Sequence, residues 1–228
     1  MKRDFFSSIR MKQTSEMIVI QASAPFKTFS SAVIGAGFRW AKTFVNRHVN
    51  KNYHADDVEA EYLNYLRVHH IDSEETLGMM TAAYLEDVCI RQFDDGTLKL
   101  LVVVTAGVSN AVDASRAYSV EHLLRTIGTI NTWIFIDGHL TEEAFVQAIM
   151  TATEAKVKAM HDEAVVDPDT HTIATGTSTD SLLIAASQTG ENYPYAGTIT
   201  KLGKAIGKYV YEATVEAIQK NKRRKEQL

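Results

Sequence analysis

A lysine stands on the apolar side of a predicted helix, where a buried charge needs either a partner or a function. Thr141 is predicted to cap this helix, whose inward stripe comprises Phe145, Ala148, Ile149, Ala152 and Ala159. At about 100° per residue, Lys156 falls within roughly 20° of Phe145, while Glu154 falls on the far side. An inward lysine must extend to solvent, pair with a carboxylate or serve a site. Lys156 is therefore a candidate catalytic residue.

Four short clusters of small polar residues border apolar runs. Residues 105–110, 129–132 and 174–180 are predicted to follow such runs, and residues 78–82 to precede a strand. Strand ends that meet at one edge of a sheet are frequent places for sites. Hydroxyl and amide side chains donate and accept hydrogen bonds, so together the clusters predict a site for a neutral, amide-rich ligand. For any single cluster, the alternative is a simple turn.

Asp180 ends the threonine-rich cluster and is the candidate for acid–base chemistry. A carboxylate here could serve as a general base on water, orient a nucleophile or cap a turn. The hydroxyls of Thr177 and Thr179 become nucleophiles only beside a base. The sequence leaves open which hydroxyl, if either, has that base.

A second arrangement for nucleophilic chemistry surrounds Ser109. Residues 107–111 follow a predicted buried strand and resemble a Gly-x-Ser-x-Gly nucleophile elbow, with Ala111 in place of the last glycine. No aspartate-then-histidine order completes a triad. A serine hydrolase that uses Ser109 therefore stands as an alternative.

The composition indicates one soluble globular domain over residues 1–228. The chain has 45% hydrophobic and 23% charged residues, a net charge of −4 and a single cysteine, Cys89. The charge disfavours a nucleic-acid partner, and no apolar stretch reaches the roughly 18 residues that a membrane helix needs. We expect Cys89 to be buried, the protein to be cytoplasmic and no metal to be bound by its side chains. The basic C-terminal tail, residues 219–228, is predicted to end a solvated helix.

The elements that must position these residues begin with strands. Apolar runs predict strands at residues 17–21, 29–34 and 132–136, and a hairpin of 86–93 and 98–105 that turns at Asp95 and Gly96. Helices are predicted from Asp56 or Asp57 to about His69, from Thr141 onward, and over about residues 199–222. This order of elements favours an α/β or α+β fold, as a single domain with a mixed, largely antiparallel sheet packed by a few helices.

Taken in order, several segments resemble the adenosylcobinamide amidohydrolase family over about residues 30–210. The matching segments are SSA (30–32), VNRHV (45–49), GMMTAA (78–83), TAGVSNA (105–111), TINT (129–132), TEAK (153–156), ATGTSTD (174–180), YAG (195–197) and LG (202–203). The resemblance implies hydrolysis of the amide that joins aminopropanol to the corrin ring, which yields adenosylcobyric acid and 1-amino-2-propanol for corrinoid salvage. The partner is then a small corrinoid whose cobalt arrives within the substrate, so no cofactor is expected on the protein itself. A homo-oligomer is possible.

Applied to this chain, the resemblance implies roles for the clustered residues. Asp180 is expected to be the base for water or for a threonine hydroxyl, with Thr177 and Thr179 as the candidates. Lys156 would stabilise the oxyanion or protonate the amine, and Asn131 would orient the carbonyl. The predicted substrate-binding residues are Asn46, Thr81, Thr105, Ser109, Asn110, Thr129, Glu154, Thr175 and Gly176. The other alternative is a non-catalytic protein that binds a corrinoid or another small ligand.

Overall fold

The structure is a computed structural model that describes residues 4–119 and 128–227. The helices within these ranges are α1 (Val58–Val68), α2 (Glu142–Asp162) and α3 (Lys201–Glu226). The strands in the same ranges are β1 (Ile9–Gln13), β2 (Met17–Ser30), β3 (Gly37–His48), β4 (Thr76–Thr81), β5 (Cys89–Asp94), β6 (Lys99–Ala106), β7 (Ala111–Val112), β8 (Ile130–Asp137), β9 (His139–Leu140), β10 (Gly176–Thr177), β11 (Ser181–Ala186) and β12 (Asn192–Tyr193).

One large sheet organises the fold. Its strand order is β4-β3-β2-β11-β8-β6-β5, with β1 paired to β2. The pairs β3–β4 and β8–β11 are parallel, and the other pairs in this sheet are antiparallel. The prediction of a mixed, largely antiparallel sheet packed by a few helices is therefore confirmed.

The strand predicted at residues 17–21 lies within one long strand, β2, and the strand predicted at 29–34 overlaps only the last two residues of β2. Its register with β3 shifts between Gln21 and Phe26, and Pro25 lies at this shift, where its missing N–H leaves no ladder bond unmade. The strand ends at Ser30, so the boundary predicted at residue 34 is wrong. The sequence patterns also missed β3, which carries exposed aromatic residues such as Phe38 and Trp40 instead of an apolar run.

The predicted hairpin is present as β5 and β6. Asp94 pairs with Lys99 across the turn, and Gly96 has a φ of 89°, which explains the glycine there. Cys89 is buried at the start of β5, as predicted, and burial raises the pKa of its thiol to about 11. This strand was predicted to start at residue 86, but Leu85–Asp87 form a short 3₁₀ turn and β5 begins at Cys89.

The three helices begin at capping side chains. The Asp57 carboxylate accepts a hydrogen bond from the Ala60 N–H at 2.9 Å, so Asp57, and not Asp56, caps α1. Thr141 caps α2, as predicted, by accepting from the Ala144 N–H at 3.2 Å. Thr200 caps α3, which runs beyond its predicted end to Glu226. In the described part of the chain, none of the helices combines the length and apolarity that a membrane crossing requires.

The sheet has apolar packing on both of its faces. Helices α2 and α3 pack together and cover one face, with Phe145 and Ile206 in that core. On the other face the sheet curls over a second core that contains Phe44, Trp133 and Phe135. This curl brings β4 against β8, where the Trp133 indole N–H donates to the Met79 sulfur at 2.9 Å. Side chains of β4, the first strand in the order, therefore meet those of β8, the fifth.

Candidate functional site

Three of the polar clusters lie side by side at one edge of the sheet. Asn131 is the register partner of Thr105 on β6 and of Ser181 on β11. Because β6 is antiparallel to β8, and β11 is parallel to β8, the last residues of β6 lie at the same edge as the first residues of β8 and β11. Residues 129–132 and 174–180 therefore lead into strands, and the prediction that they follow apolar runs is wrong. Residues 78–81 lie within β4 and do not precede a strand.

An ion pair between Lys156 and Asp180 forms the centre of this edge. The Lys156 Nζ lies 2.5 Å from the Asp180 Oδ2. Their side chains are only 14% and 19% exposed, so the pair is shielded from water on most sides. Lys156 therefore lies on the inward side of α2, as the helical wheel predicts, and it pairs there with a carboxylate.

Gly176 provides the space that this ion pair fills. A Cβ at position 176 would lie 2.5 Å from the Lys156 Nζ and closer still to the Asp180 Oδ2. Both distances are far below van der Waals contact. Position 176 therefore admits no side chain while the pair keeps its present geometry.

Asp180 accepts hydrogen bonds from four donors. Its Oδ1 accepts from the Ile130 N–H at 3.0 Å and, in a short contact, from the Thr177 hydroxyl. Its Oδ2 accepts from the Thr177 N–H at 3.1 Å in addition to the lysine. A carboxylate has about four acceptor positions, so this one is held in place with its capacity used inside the protein.

The hydroxyls of Thr129 and Thr179 brace the two adjoining segments against each other. The Thr179 hydroxyl donates to the Gly128 carbonyl at 2.6 Å, and the Thr129 hydroxyl donates to the Thr179 carbonyl at 2.6 Å. These bonds tie the loop before β11 to the entry of β8. The backbone that carries Asp180 is therefore fixed from two sides.

A buried chain of amides lies behind this edge. The Asn131 side-chain N–H groups donate to the Asn46 Oδ1 at 2.8 Å and to the Met80 carbonyl at 2.7 Å. The Asn46 amide donates in turn to the Thr105 hydroxyl at 3.0 Å. Because both donors of Asn131 are used in these bonds, its contact here is with β3 and β4. Its predicted role in orienting a substrate carbonyl stays a prediction.

A cavity of about 330 Å³ opens beside Asp180. Its lining comprises Ser31, Val33, Val49, Tyr53, His54, Ala55, Val58, Met79, Met80, Thr129, Thr179, Asp180 and Ser181. The loop between β3 and α1 supplies one wall, and the edge that carries the ion pair supplies the opposite one. The cavity thus joins a mostly apolar wall to a carboxylate.

Ion pairing at the base of α1 positions that loop wall. Arg47 binds Glu61 with both terminal nitrogens, at 2.5 and 2.8 Å, and the Tyr53 hydroxyl donates to the same carboxylate at 2.7 Å. The hydrogen bond from Arg47 is the main cause that lowers the pKa of Glu61, while burial and the bond to Glu61 raise the pKa of Tyr53 to about 12. Tyr53 therefore lines the cavity as a neutral, anchored phenol.

The remaining predicted residues have different surroundings. The Thr81 hydroxyl accepts from the Ala83 N–H at 3.0 Å, and the Thr175 hydroxyl donates to the Val112 carbonyl at 3.3 Å. The Asn110 amide donates to the Ser178 hydroxyl at 2.8 Å, and its Oδ1 is a buried atom with no hydrogen-bond partner in the described ranges. Glu154 is exposed on the side of α2 away from Lys156, and the structure does not bring it to the ion pair.

Ser109 lies beside the same edge without the partners of a triad. Among the described residues, no histidine makes a hydrogen bond with its hydroxyl, and the His48 ring instead faces the Ala83 carbonyl at 3.0 Å. His122 lies outside the described residues. In the same ranges, no three His, Cys, Asp or Glu side chains are grouped so as to hold a metal ion.

Sequence reasoning missed several contributors to the site. Tyr53 and His54 reach the cavity through the path of a loop, and Ile130 contributes only a backbone N–H. Neither the hydrophobic periodicity nor a local motif marks such residues. The one available signal was that the loop of residues 49–57 directly follows the matching segment 45–49.

The comparison with protein families gives a match over nearly the whole chain. Residues 2–226 match the family model described as adenosylcobinamide amidohydrolase. An adenosylcobinamide amidohydrolase of Methanosarcina mazei is 29% identical over 203 residues, which cover 85% of this chain and 88% of that protein. An uncharacterised protein of Methanocaldococcus jannaschii is 26% identical over 92% of this chain and 88% of its own length.

Two further similarities are more limited. An uncharacterised ABC transporter ATP-binding protein of Bacillus subtilis is 26% identical over 77% of this chain, which spans only 31% of that relative's length. Among solved structures, a Pyrococcus horikoshii protein superposes with a TM-score of 0.46 at 10% identity, covering 92% of this chain and 79% of that one.

Proposed function

Since the chain belongs to the adenosylcobinamide amidohydrolase family, we propose that it hydrolyses the amide between aminopropanol and the corrin ring of adenosylcobinamide. The products are adenosylcobyric acid and 1-amino-2-propanol. The observation that carries the proposal is the shielded Lys156–Asp180 pair, whose carboxylate lines a cavity of about 330 Å³. In this proposal, corrinoid salvage is the process that uses the reaction.

The site offers the groups that amide hydrolysis needs. The reaction requires an activated nucleophile, stabilisation of the oxyanion and protonation of the leaving amine. Asp180 takes the proton of the nucleophile. Lys156, with three N–H donors of which Asp180 accepts one, stabilises the negative oxygen of the tetrahedral intermediate. A proton from this pair then reaches the leaving nitrogen.

The size and lining of the cavity suit the amide arm of the substrate. Its volume is at the lower end of the roughly 300–1,000 Å³ of small-molecule pockets, so the arm enters while the macrocycle stays outside. Val33 and Val58 line the cavity and are also partly exposed. They provide apolar surface at the rim, where the edge of the macrocycle rests. The cobalt stays within the substrate throughout.

The test is turnover of adenosylcobinamide by the purified protein, followed by mass spectrometry. We expect adenosylcobyric acid to appear, and we expect Asp180→Ala and Lys156→Ala each to lower kcat/KM by more than tenfold. Lys158→Ala is the matched control. Lys158 lies about half a turn from Lys156 on α2, is 62% exposed and pairs with Asp162. A loss below tenfold in both site variants would remove this assignment.

Other outcomes separate the alternatives. An unchanged corrinoid that co-elutes with the protein would favour a non-catalytic binding protein. Labelling of Ser109 by a fluorophosphonate probe, together with loss of turnover in Ser109→Ala, would favour the serine hydrolase. If the substrate neither reacts nor binds, the proposed function is wrong.

A further inference from the structure

The three threonine hydroxyls of residues 175–179 have different partners. Thr175 donates to the Val112 carbonyl at 3.3 Å, and Thr179 donates to the Gly128 carbonyl at 2.6 Å. Thr177 instead donates to the Asp180 carboxylate. A hydroxyl is activated as a nucleophile by an adjacent base. Within this described segment, Thr177 is the threonine that has one.

The hydrogen bonds that Asp180 already accepts argue against direct activation of water by this carboxylate. Its two oxygens already accept from the Ile130 N–H, the Thr177 N–H, the Thr177 hydroxyl and Lys156. With about four acceptor positions in a carboxylate, an attacking water would have to displace one of these donors. The Thr177 hydroxyl already donates its hydrogen bond to Asp180, so transfer of that proton requires no rearrangement.

The backbone around Thr177 holds its hydroxyl in this position. Thr177 pairs with Ala111 in the short β10–β7 ladder. Its own N–H donates to the same carboxylate at 3.1 Å, which closes a tight turn from Thr177 to Asp180. A nucleophile and base fixed in one turn lose little conformational entropy on reaction.

We propose that Thr177 is the nucleophile, and that the enzyme forms a covalent ester between its Oγ and the corrinoid acyl group. This inference rests on the proposed function. The Thr177 Oγ attacks the amide carbon and its proton passes to Asp180, while Lys156 faces the oxyanion. The C–N bond then breaks, and the proton moves to the nitrogen, which leaves as 1-amino-2-propanol.

Water completes the reaction. It adds to the ester carbon and gives a proton to Asp180, after which the bond between the acyl carbon and the Thr177 Oγ breaks and the proton returns to Oγ. The net change is one amide and one water converted to one carboxylic acid and one amine. No oxidant, reductant or further reactant is needed.

The experiment compares Thr177→Ala with Thr177→Ser, with Thr189→Ala as the control. Thr189 is exposed in the loop after the other end of β11. We expect Thr177→Ala to lose at least about 10³-fold in kcat, Thr177→Ser to stay within tenfold of the parent protein, and the control to be unchanged. Reactions with adenosylcobinamide are quenched in acid, digested and searched by mass spectrometry for a corrinoid acyl adduct on the peptide that contains residue 177.

The outcomes distinguish this inference from the function on which it rests. An adduct in the parent protein or in Thr177→Ser, absent from Thr177→Ala, supports the covalent step. Turnover by Thr177→Ala within tenfold of the parent, or no adduct in either hydroxyl-containing protein, overturns it and leaves direct attack by water. If the parent protein itself produces no adenosylcobyric acid, it is the proposed function that fails.

Discussion

The substitution Gly176→Ala tests the role of the Lys156–Asp180 ion pair, because it fills the space beside the pair without disturbing the backbone. Gly176 has no positive φ, so alanine can adopt its conformation. The added Cβ, however, would lie 2.5 Å from the Lys156 Nζ and still closer to the Asp180 Oδ2. We predict that Gly176→Ala separates the ion pair while the protein remains folded.

The size of the effect follows from these distances. Ordinary contact between heavy atoms needs roughly 3.5 Å, so the Lys156 Nζ and the Asp180 Oδ2 must each move about 1 Å away from the added Cβ. The lysine end can swing aside, but Asp180 is held by the Ile130 and Thr177 N–H groups. Misplacement of a reacting group by 1 Å costs about 10²-fold in rate. We therefore expect kcat/KM to fall by about 10²-fold, or about 2.7 kcal/mol in transition-state stabilisation.

The assay is conversion of adenosylcobinamide measured alongside thermal unfolding. Gly207→Ala is the matched control, because a Cβ there would meet only the Thr151 methyl at 3.8 Å, an ordinary contact. We expect the control to retain activity and Gly176→Ala to keep a Tm within about 12 °C of the parent. Overpacking at one buried position costs about 1–3 kcal/mol, and each kcal/mol shifts the Tm of a chain of this size by about 2–4 °C. Activity of Gly176→Ala within threefold of the parent would refute the reasoning.

Two further predictions concern the support around the site. Asn131→Leu leaves the Asn46 Oδ1 and the Met80 carbonyl without their donor, so we expect about 1–3 kcal/mol lower stability in urea unfolding; an unchanged midpoint would contradict this. Arg47 lowers the pKa of Glu61 in the folded protein, so the stabilisation is present above the unfolded value of about 4.3 and is lost as pH falls through the folded pKa. Glu61→Gln should therefore show a smaller drop in Tm than the parent between pH 7 and pH 3, and an equal drop would show that this carboxylate contributes nothing.

Much of the fold was predictable because local patterns and tertiary packing agree. The hairpin turn at Gly96, the caps at Asp57 and Thr141 and the apolar stripes of the helices are all properties of short segments. β3 was not predictable in this way, since an exposed Trp40, 55% accessible, interrupts any apolar pattern. The continuity of β2 was hidden similarly, because residues 22–25 around its register shift look like a break.

The candidate site was predictable only in part. The inward position of Lys156 follows from its angle on α2, and Asp180 is marked by the threonine-rich segment that it ends. Their pairing depends on the parallel arrangement of β8 and β11, which places the loop before β11 under α2. Periodicity contains no information about such a pairing. For the same reason, the two clusters before β8 and β11 were assigned to the wrong ends of their strands.

The side-chain amides of Asn46 and Asn131 are hydrogen-bonded within the protein. This bears on how such a site selects one substrate amide among many. The periphery of a corrin ring carries numerous carboxamides, and free amide donors near the ion pair would bind any of them unproductively. Asn131 donates both of its N–H groups to Asn46 and Met80, and the Asn46 amide donates to Thr105. These amides therefore stiffen the edge without competing for the ring. We infer that selection falls to the cavity beside Asp180, because an arm that enters it brings its amide carbon beside the carboxylate to which Lys156 and the Thr177 hydroxyl donate.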